Sequence, residues 1–278
     1  MDHKDRDSVL AQDLKTMTAR TADRRKVLGW LVAASLAPAL GCGDDSSEGS
    51  GGATSTGTTG TTSTTGDGSC STIPEETAGP YPGDGSNGAN ALTLSGIVRS
   101  DITPSIGAAG GTAEGIPLTI RLTLVNAGGS CAALAGYAVY LWHCDRNGDY
   151  SMYSAAIADE NYLRGVQETG SDGTVTFTSI FPACYSGRWP HIHFEVYPSL
   201  ATATSGSNSV ATSQLALPEA ACDEVYATAD YSSSVSSFAG VSLDSDNVFS
   251  DGSSSQLATV TGNVTDGYVA TLTVAIDA

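Results

Sequence analysis

The sequence predicts an all-β fold, a β-sandwich with long loops preceded by a disordered tether, and three observations carry that prediction. Short runs rich in Val, Ile, Leu, Thr and Tyr recur from about residue 91 to the end. Gly, Asn, Asp, Ser and Pro punctuate those runs. No segment carries a long, clean helical period, and strands without alternating helices argue for two packed sheets.

In chain order, residues 1–42 read as an export signal. Arg24-Arg25-Lys26-Val27-Leu28 resembles a twin-arginine motif, and Leu28 to Leu40 is an apolar stretch too short for an ordinary spanning helix. Ala39-Leu40-Gly41-Cys42 resembles a lipobox, which predicts acylation of Cys42 after cleavage; the plainer reading is a signal peptide with a chance Cys. Residues 43–69, nearly all Gly, Ser, Thr and acid, read as a flexible tether. The folded domain is expected over residues 70–278. Its strands are expected at Ala91 to Ser100, Leu118 to Val125, Gly136 to Cys144, Thr174 to Ile180, His191 to Tyr197, Gln256 to Thr261 and Tyr268 to Ile276. Asn263 to Gly267 is expected to turn the last two into a hairpin, and Leu217 to Tyr226 to form a short helix.

Charge narrows the partners. Of 12 Lys and Arg, seven precede residue 43, and the five that remain are all Arg: Arg99, Arg121, Arg146, Arg164 and Arg188. A domain this acidic is repelled by nucleic acid and by anionic membrane surfaces, so small molecules or neutral polymers are the expected partners. After Cys42 five Cys remain, Cys70, Cys131, Cys144, Cys184 and Cys222. Some are expected to pair in an exported domain, with connectivity open, and none has the close spacing of a zinc cluster.

His143, His191 and His193 are the three His beyond the leader. In a strand, positions i and i+2 share a face, so His191 and His193 project side by side as two metal ligands must. The bland alternative is two exposed His on a surface strand. Tyr185 precedes the pair by one loop, and Leu141-Trp-His-Cys-Asp-Arg-Asn-Gly-Asp-Tyr150 runs from a strand through a turn to a second Tyr. Either Tyr also suits a core, and Tyr153 competes with Tyr150. The acids of Asp145 to Asp149 look like a calcium loop, but the Gly is misplaced, so a turn presenting Tyr150 is preferred.

Trp142, Gly148-Asp-Tyr150, Phe177-Thr-Ser-Ile-Phe-Pro182, Tyr185, Arg188 and His191-Ile-His193 stand in an order that resembles the intradiol ring-cleavage dioxygenases. Thr77-Ala-Gly79-Pro80-Tyr81 resembles that family's N-terminal segment beside the pocket. The resemblance covers roughly residues 75 to 275 and implies long loops around a metal site. It implies non-haem Fe(III) held by Tyr150, Tyr185, His191 and His193, a donor set whose hard phenolates suit ferric iron. It further implies cleavage of a small catechol-type diol with O2 to a cis,cis-muconate type diacid. Tyr185 would act as a base and Arg188 as a stabiliser of negative charge, with Gly79, Pro80, Tyr81 and Gln214 lining the pocket. Asn161-Tyr-Leu-Arg164 resembles a family segment whose Arg organises structure. The competing reading is a non-catalytic β-sandwich lipoprotein that captures metal or carbohydrate. No long N-terminal helical segment of the kind used by catechol 1,2-dioxygenases to dimerise is evident, so oligomeric state and exact substrate stay open. The expected location is the cell envelope or exterior.

Overall fold

A computed structural model describes residues 70–278. The signal segment, Cys42 and the tether lie outside them. Two sheets make the fold. The strands are β1 (Pro117–Asn126), β2 (Ala132–Ala133), β3 (Ala138–Trp142), β4 (Arg164–Glu168), β5 (Thr174–Ile180), β6 (His191–Tyr197), β7 (Ala211–Ala216), β8 (Thr259–Asn263) and β9 (Gly267–Ile276). One sheet runs β2-β1-β9-β8 with β5 also on β1, and the other runs β4-β3-β6-β7. All pairings are antiparallel except β1 with β9. Helices α1 (Glu219–Tyr226) and α2 (Val235–Phe238) lie between β7 and β8. Among the described residues, no helix is long and apolar enough to cross a membrane.

The core follows from period-two alternation. Ile120, Leu122 and Leu124 of β1, Phe177 of β5 and Val274 of β9 meet Val139 and Leu141 of β3 and Ile192, Phe194 and Val196 of β6. Alternation therefore turns His191, His193, Glu195 and Tyr197 to the opposite face of β6. That face is covered as well, so all seven β6 residues are buried. A second apolar cluster, Ala91, Leu92, Ile97, Tyr140, Trp142, Tyr150 and Tyr197, forms the cover.

The expected strands at Thr174 to Ile180 and His191 to Tyr197 are matched residue for residue, and the helix and the Asn263–Gly267 hairpin form as expected. Ala91 to Ser100 differs. Ala91, Leu92 and Ile97 are buried and Val98 is exposed, but Leu94 N–H donates to Ala91 O, Ile97 N–H to Leu94 O, and Gly96 takes φ +91, so most of the backbone is spent on turns. A bridge from Val98 to Val166 and the Ser100 carbonyl, which accepts from Thr178 N–H, join it to the sheets. Strands β4 (Arg-Gly-Val-Gln-Glu) and β7 (Ala-Thr-Ser-Gln-Leu-Ala) were not expected, because their polar residues give no alternation to read. Cys70 pairs with Cys131, while Cys144, Cys184 and Cys222 are free and buried.

Candidate functional site

The site lies on the covered face of the β3–β6 pair. Across the ladder Trp142 faces His193, and the two rings stack with centroids 4.9 Å apart and planes 5° from parallel. Beyond Trp142 the chain turns. Asp145 Oδ1 accepts from the amides of Asn147 (2.8 Å) and Asp149 (3.0 Å), which closes the turn on itself. Gly148 takes φ +88, and a Cβ there would meet Tyr185 Cβ at 3.3 Å. A glycine at this position lets the two tyrosine-bearing loops approach. Tyr153, the rival to Tyr150, is engaged elsewhere: its hydroxyl accepts from Gly83 N–H and donates to Asn87 Oδ1.

Four donor atoms converge. Tyr150 Oη lies 3.3 Å from Tyr185 Oη, which lies 3.1 Å from His191 Nε2, which lies 3.1 Å from His193 Nε2. His191 Nδ1 sits 2.5 Å from Trp189 O, so Nδ1 carries the proton and the Nε2 lone pair faces the cluster. His193 Nδ1 is buried with no hydrogen-bond partner. Burial first, then the Arg188 charge, holds His191 well below its ordinary pKa; burial and then His191 do the same to His193. Both imidazoles are therefore neutral. Burial first, with Tyr185 next, pushes the Tyr150 phenol well above its ordinary range. Phenols so placed ionise only beside a cation.

Such an arrangement suits a transition ion. Donors about 2.0–2.1 Å from one metal and at right angles to each other stand about 3 Å apart, close to the 3.1–3.3 Å spacings here. Two imidazoles and two phenols are a hard, partly anionic set that suits ferric iron better than zinc or cuprous copper. Among the described residues, no group of three or more His, Cys, Asp or Glu offers a rival metal site.

Around the donors stand the other expected residues. Gly79, at φ +70, lies so close that a Cβ would meet His193 Cε1 at 3.3 Å, and its amide is held by Thr77 Oγ1. Tyr81 packs its ring on Tyr150 (5.0 Å) and Tyr153 (5.2 Å). Pro80 links these two and offers its carbonyl outward to Asn87 Nδ2. Gln214, fully buried opposite His193 on β7, accepts from Arg188 Nη2 at 2.6 Å and donates to Thr77 O. Burial disfavours the Arg188 charge, but Tyr185 and Asp246 outweigh it and raise its pKa. Arg188 bonds Asp246 Oδ2 through Nε at 3.0 Å, a buried ion pair rather than a surface one. His143 is a core residue bonded to Ser179 Oγ and Cys144 O. Arg164 organises structure, gathering Tyr81 O, Pro82 O, Ser151 and Tyr140 Oη.

Two contributors were not foreseen. Asp246, far downstream, carries no motif to mark it, and the Trp189 carbonyl that orients His191 is a backbone group invisible in sequence.

Several known proteins are similar to this chain. Residues 99–192 match the family model described as Dioxygenase. A stretch of 52 residues is 36% identical to chlorocatechol 1,2-dioxygenase of Rhodococcus opacus, a match covering 19% of this chain and 20% of that protein. The fold is similar to the intradiol ring-cleavage dioxygenase of Tetranychus urticae, with TM-score 0.59, 26% identity, and coverage of 75% of this chain and 95% of that one.

Proposed function

We propose that this chain, which belongs to the intradiol ring-cleavage dioxygenase family, opens catechol-type rings with O2 through ferric iron held by Tyr150, Tyr185, His191 and His193. The observation that carries the reading is the convergence of two phenol oxygens and two imidazole Nε2 atoms at 3.1–3.3 Å steps. A pure binding module needs neither phenol, which disfavours the capture-lipoprotein alternative. When bound, the iron supplies a Lewis acid that favours the doubly deprotonated diol and a redox-capable centre for its reaction with O2.

The chain's own residues do the rest. Tyr185, the more exposed of the two phenols, acts as the base for a substrate hydroxyl once ionised and released. Tyr150, buried and fixed by the turn beneath it, stays in place. Trp189 O keeps the His191 Nε2 lone pair turned inward, and Trp142 fixes the plane of His193. Arg188 sets a permanent positive charge beside the two phenols, where anionic oxygen develops. Tyr81, Gly79 and Pro80 form the aromatic and close-packed rim on which a flat ring rests. Both atoms of O2 enter the product, a cis,cis-muconate type diacid, with the cleaved bond lying between the two oxygenated carbons.

The same proposal places the domain outside the cytoplasm, anchored through an acylated Cys42. The Cys70–Cys131 disulfide supports an oxidising compartment. The test is a visible spectrum of the iron-loaded chain before and after catechol in air, with oxygen uptake recorded. A red-brown band that shifts with catechol, is largely lost in Tyr150→Phe and Tyr185→Phe, and accompanies muconate formation is the expected result. A colourless ferric protein that takes up no oxygen would refute the dioxygenase and leave the binding module.

A further inference from the structure

The carboxylate of Asp246 is fully buried and accepts four hydrogen bonds. Oδ1 takes the amides of Val248 (2.8 Å) and Phe249 (3.1 Å), which anchor it to its own loop. Oδ2 takes Arg188 Nε (3.0 Å) and the Trp189 amide (2.6 Å), two consecutive residues of the loop that enters β6. From there two paths reach the donor cluster. Through Arg188 the carboxylate balances and holds a cation whose charge acts on both tyrosines, while Gln214 holds the other end of the same guanidinium. Through Trp189 it fixes the peptide whose carbonyl receives His191 Nδ1–H.

We infer that Asp246 is a positioning residue for ring cleavage: by gripping Arg188 and the Trp189 amide together, it aims the guanidinium at the tyrosine pair and locks His191 in the Nδ1–H tautomer. The inference rests on the dioxygenase reading for its effect on turnover, and on geometry alone for the tautomer. A buried carboxylate serving only loop stability would need the Val248 and Phe249 amides, not two further donors from the site-bearing segment. Loss of such outer partners of a ligand-bearing segment costs about 10–100-fold in activity or metal affinity.

The test uses Asp246→Asn, Arg188→Met and the double variant. In iron-loaded protein Asp246→Asn is expected to lower kcat about 10–100-fold with KM changed less than about threefold, since the substrate is not touched. In the Arg188→Met background the same change should cost little more, because its main route is already cut. In metal-free protein, 15N-histidine NMR should show a single Nδ1–H tautomer of His191 in the unaltered chain and a mixture in Asp246→Asn. Multiplicative losses in the double variant, unchanged kcat, or an unchanged tautomer would each overturn the inference. Should Asp246→Asn fail to fold, exchange of the Arg188 Nε–H in the unaltered chain decides: protection supports the grip, and fast exchange overturns it. The NMR arm needs neither iron nor catechol. An inert native protein with the expected tautomer shift would therefore sink the dioxygenase reading and leave the positioning geometry standing.

Discussion

The two sheets bury their residues in opposite ways. In the sheet built on β1 and β9, one face enters the core and the other meets water, with Thr119, Arg121, Thr123, Thr176, Thr178, Thr271 and Thr273 on the outer side, half-buried or exposed. In the sheet built on β3 and β6, both faces are covered, and β3, β6 and β7 contain no exposed residue. Water can satisfy the polar groups of the first sheet. The second must satisfy His191, His193, Glu195, Gln214 and Arg164 from within. Such burial makes a polar group costly and, where several converge, chemically useful.

If that contrast is right, substitutions in the second sheet cost function and those in the first cost only packing. The largest effect is expected for His191→Ala, which should remove the ferric band and oxygen uptake together. Retention of either would break the assignment. Phe177→Ala, beneath the threonine face, should cost about 3–5 kcal/mol in urea unfolding through the cavity it leaves. The iron band of whatever folds should be unchanged.

The pH response should separate two buried groups of the second sheet and its approach. Burial pushes His143 down to about 4. Unfolded chain binds the extra proton first, so this residue's share of stability is complete above about pH 6.5 and is lost as pH falls toward 4. His143→Gln should flatten that acid limb, by on the order of 2–3 kcal/mol. Burial first pushes Glu195 up to about 8, with Asp84 adding to it against the Tyr197 hydrogen bond. Here folded protein holds the proton longer, so stability falls as pH rises from about 4.5 to 8. Glu195→Gln should flatten the alkaline limb; urea midpoints of metal-free protein across pH 4 to 9 measure both. The smallest effect is expected for Thr176→Ala on the wet face, within about 0.5 kcal/mol.

The same contrast explains what the sequence revealed. Thr174 to Ile180 alternates because one face is wet, and its limits were legible to the residue. His191 to Tyr197 was legible through its apolar half, Ile192, Phe194 and Val196, and the other half exposed the site. The strand at Ala211 to Ala216 was not, since a strand covered on both faces and lined with Ser213 and Gln214 has no period to detect. The segment Ala91 to Ser100 misled for the converse reason: Ala91, Leu92 and Ile97 are buried from turns, and burial with little ladder pairing looks strand-like in composition. At the candidate site, Tyr150, Tyr185, His191 and His193 stand out in the sequence because order and chemistry mark them, and the fold brings their donor atoms together. Asp246 was hidden because its partnership with Arg188 is made only in three dimensions.

The placement of β9 has a temporal consequence. Strand β9 lies between β1 and β8 and pairs in parallel with β1, Leu118 beside Tyr268 and Val125 beside Ala275. Until it arrives, a newly made chain leaves β1 with an open edge. Strands β3, β4, β6 and β7 pair with one another within residues 138–216, and only single bridges, Val166 to Val98 and Ala216 to Leu257, reach outside that span. The sheet that carries the candidate site can thus assemble before its opposite, which waits for β9. Closure over so long a loop belongs to the slow regime of about milliseconds to seconds. Strand β9, the last of the described strands, is therefore the latch between β1 and β8.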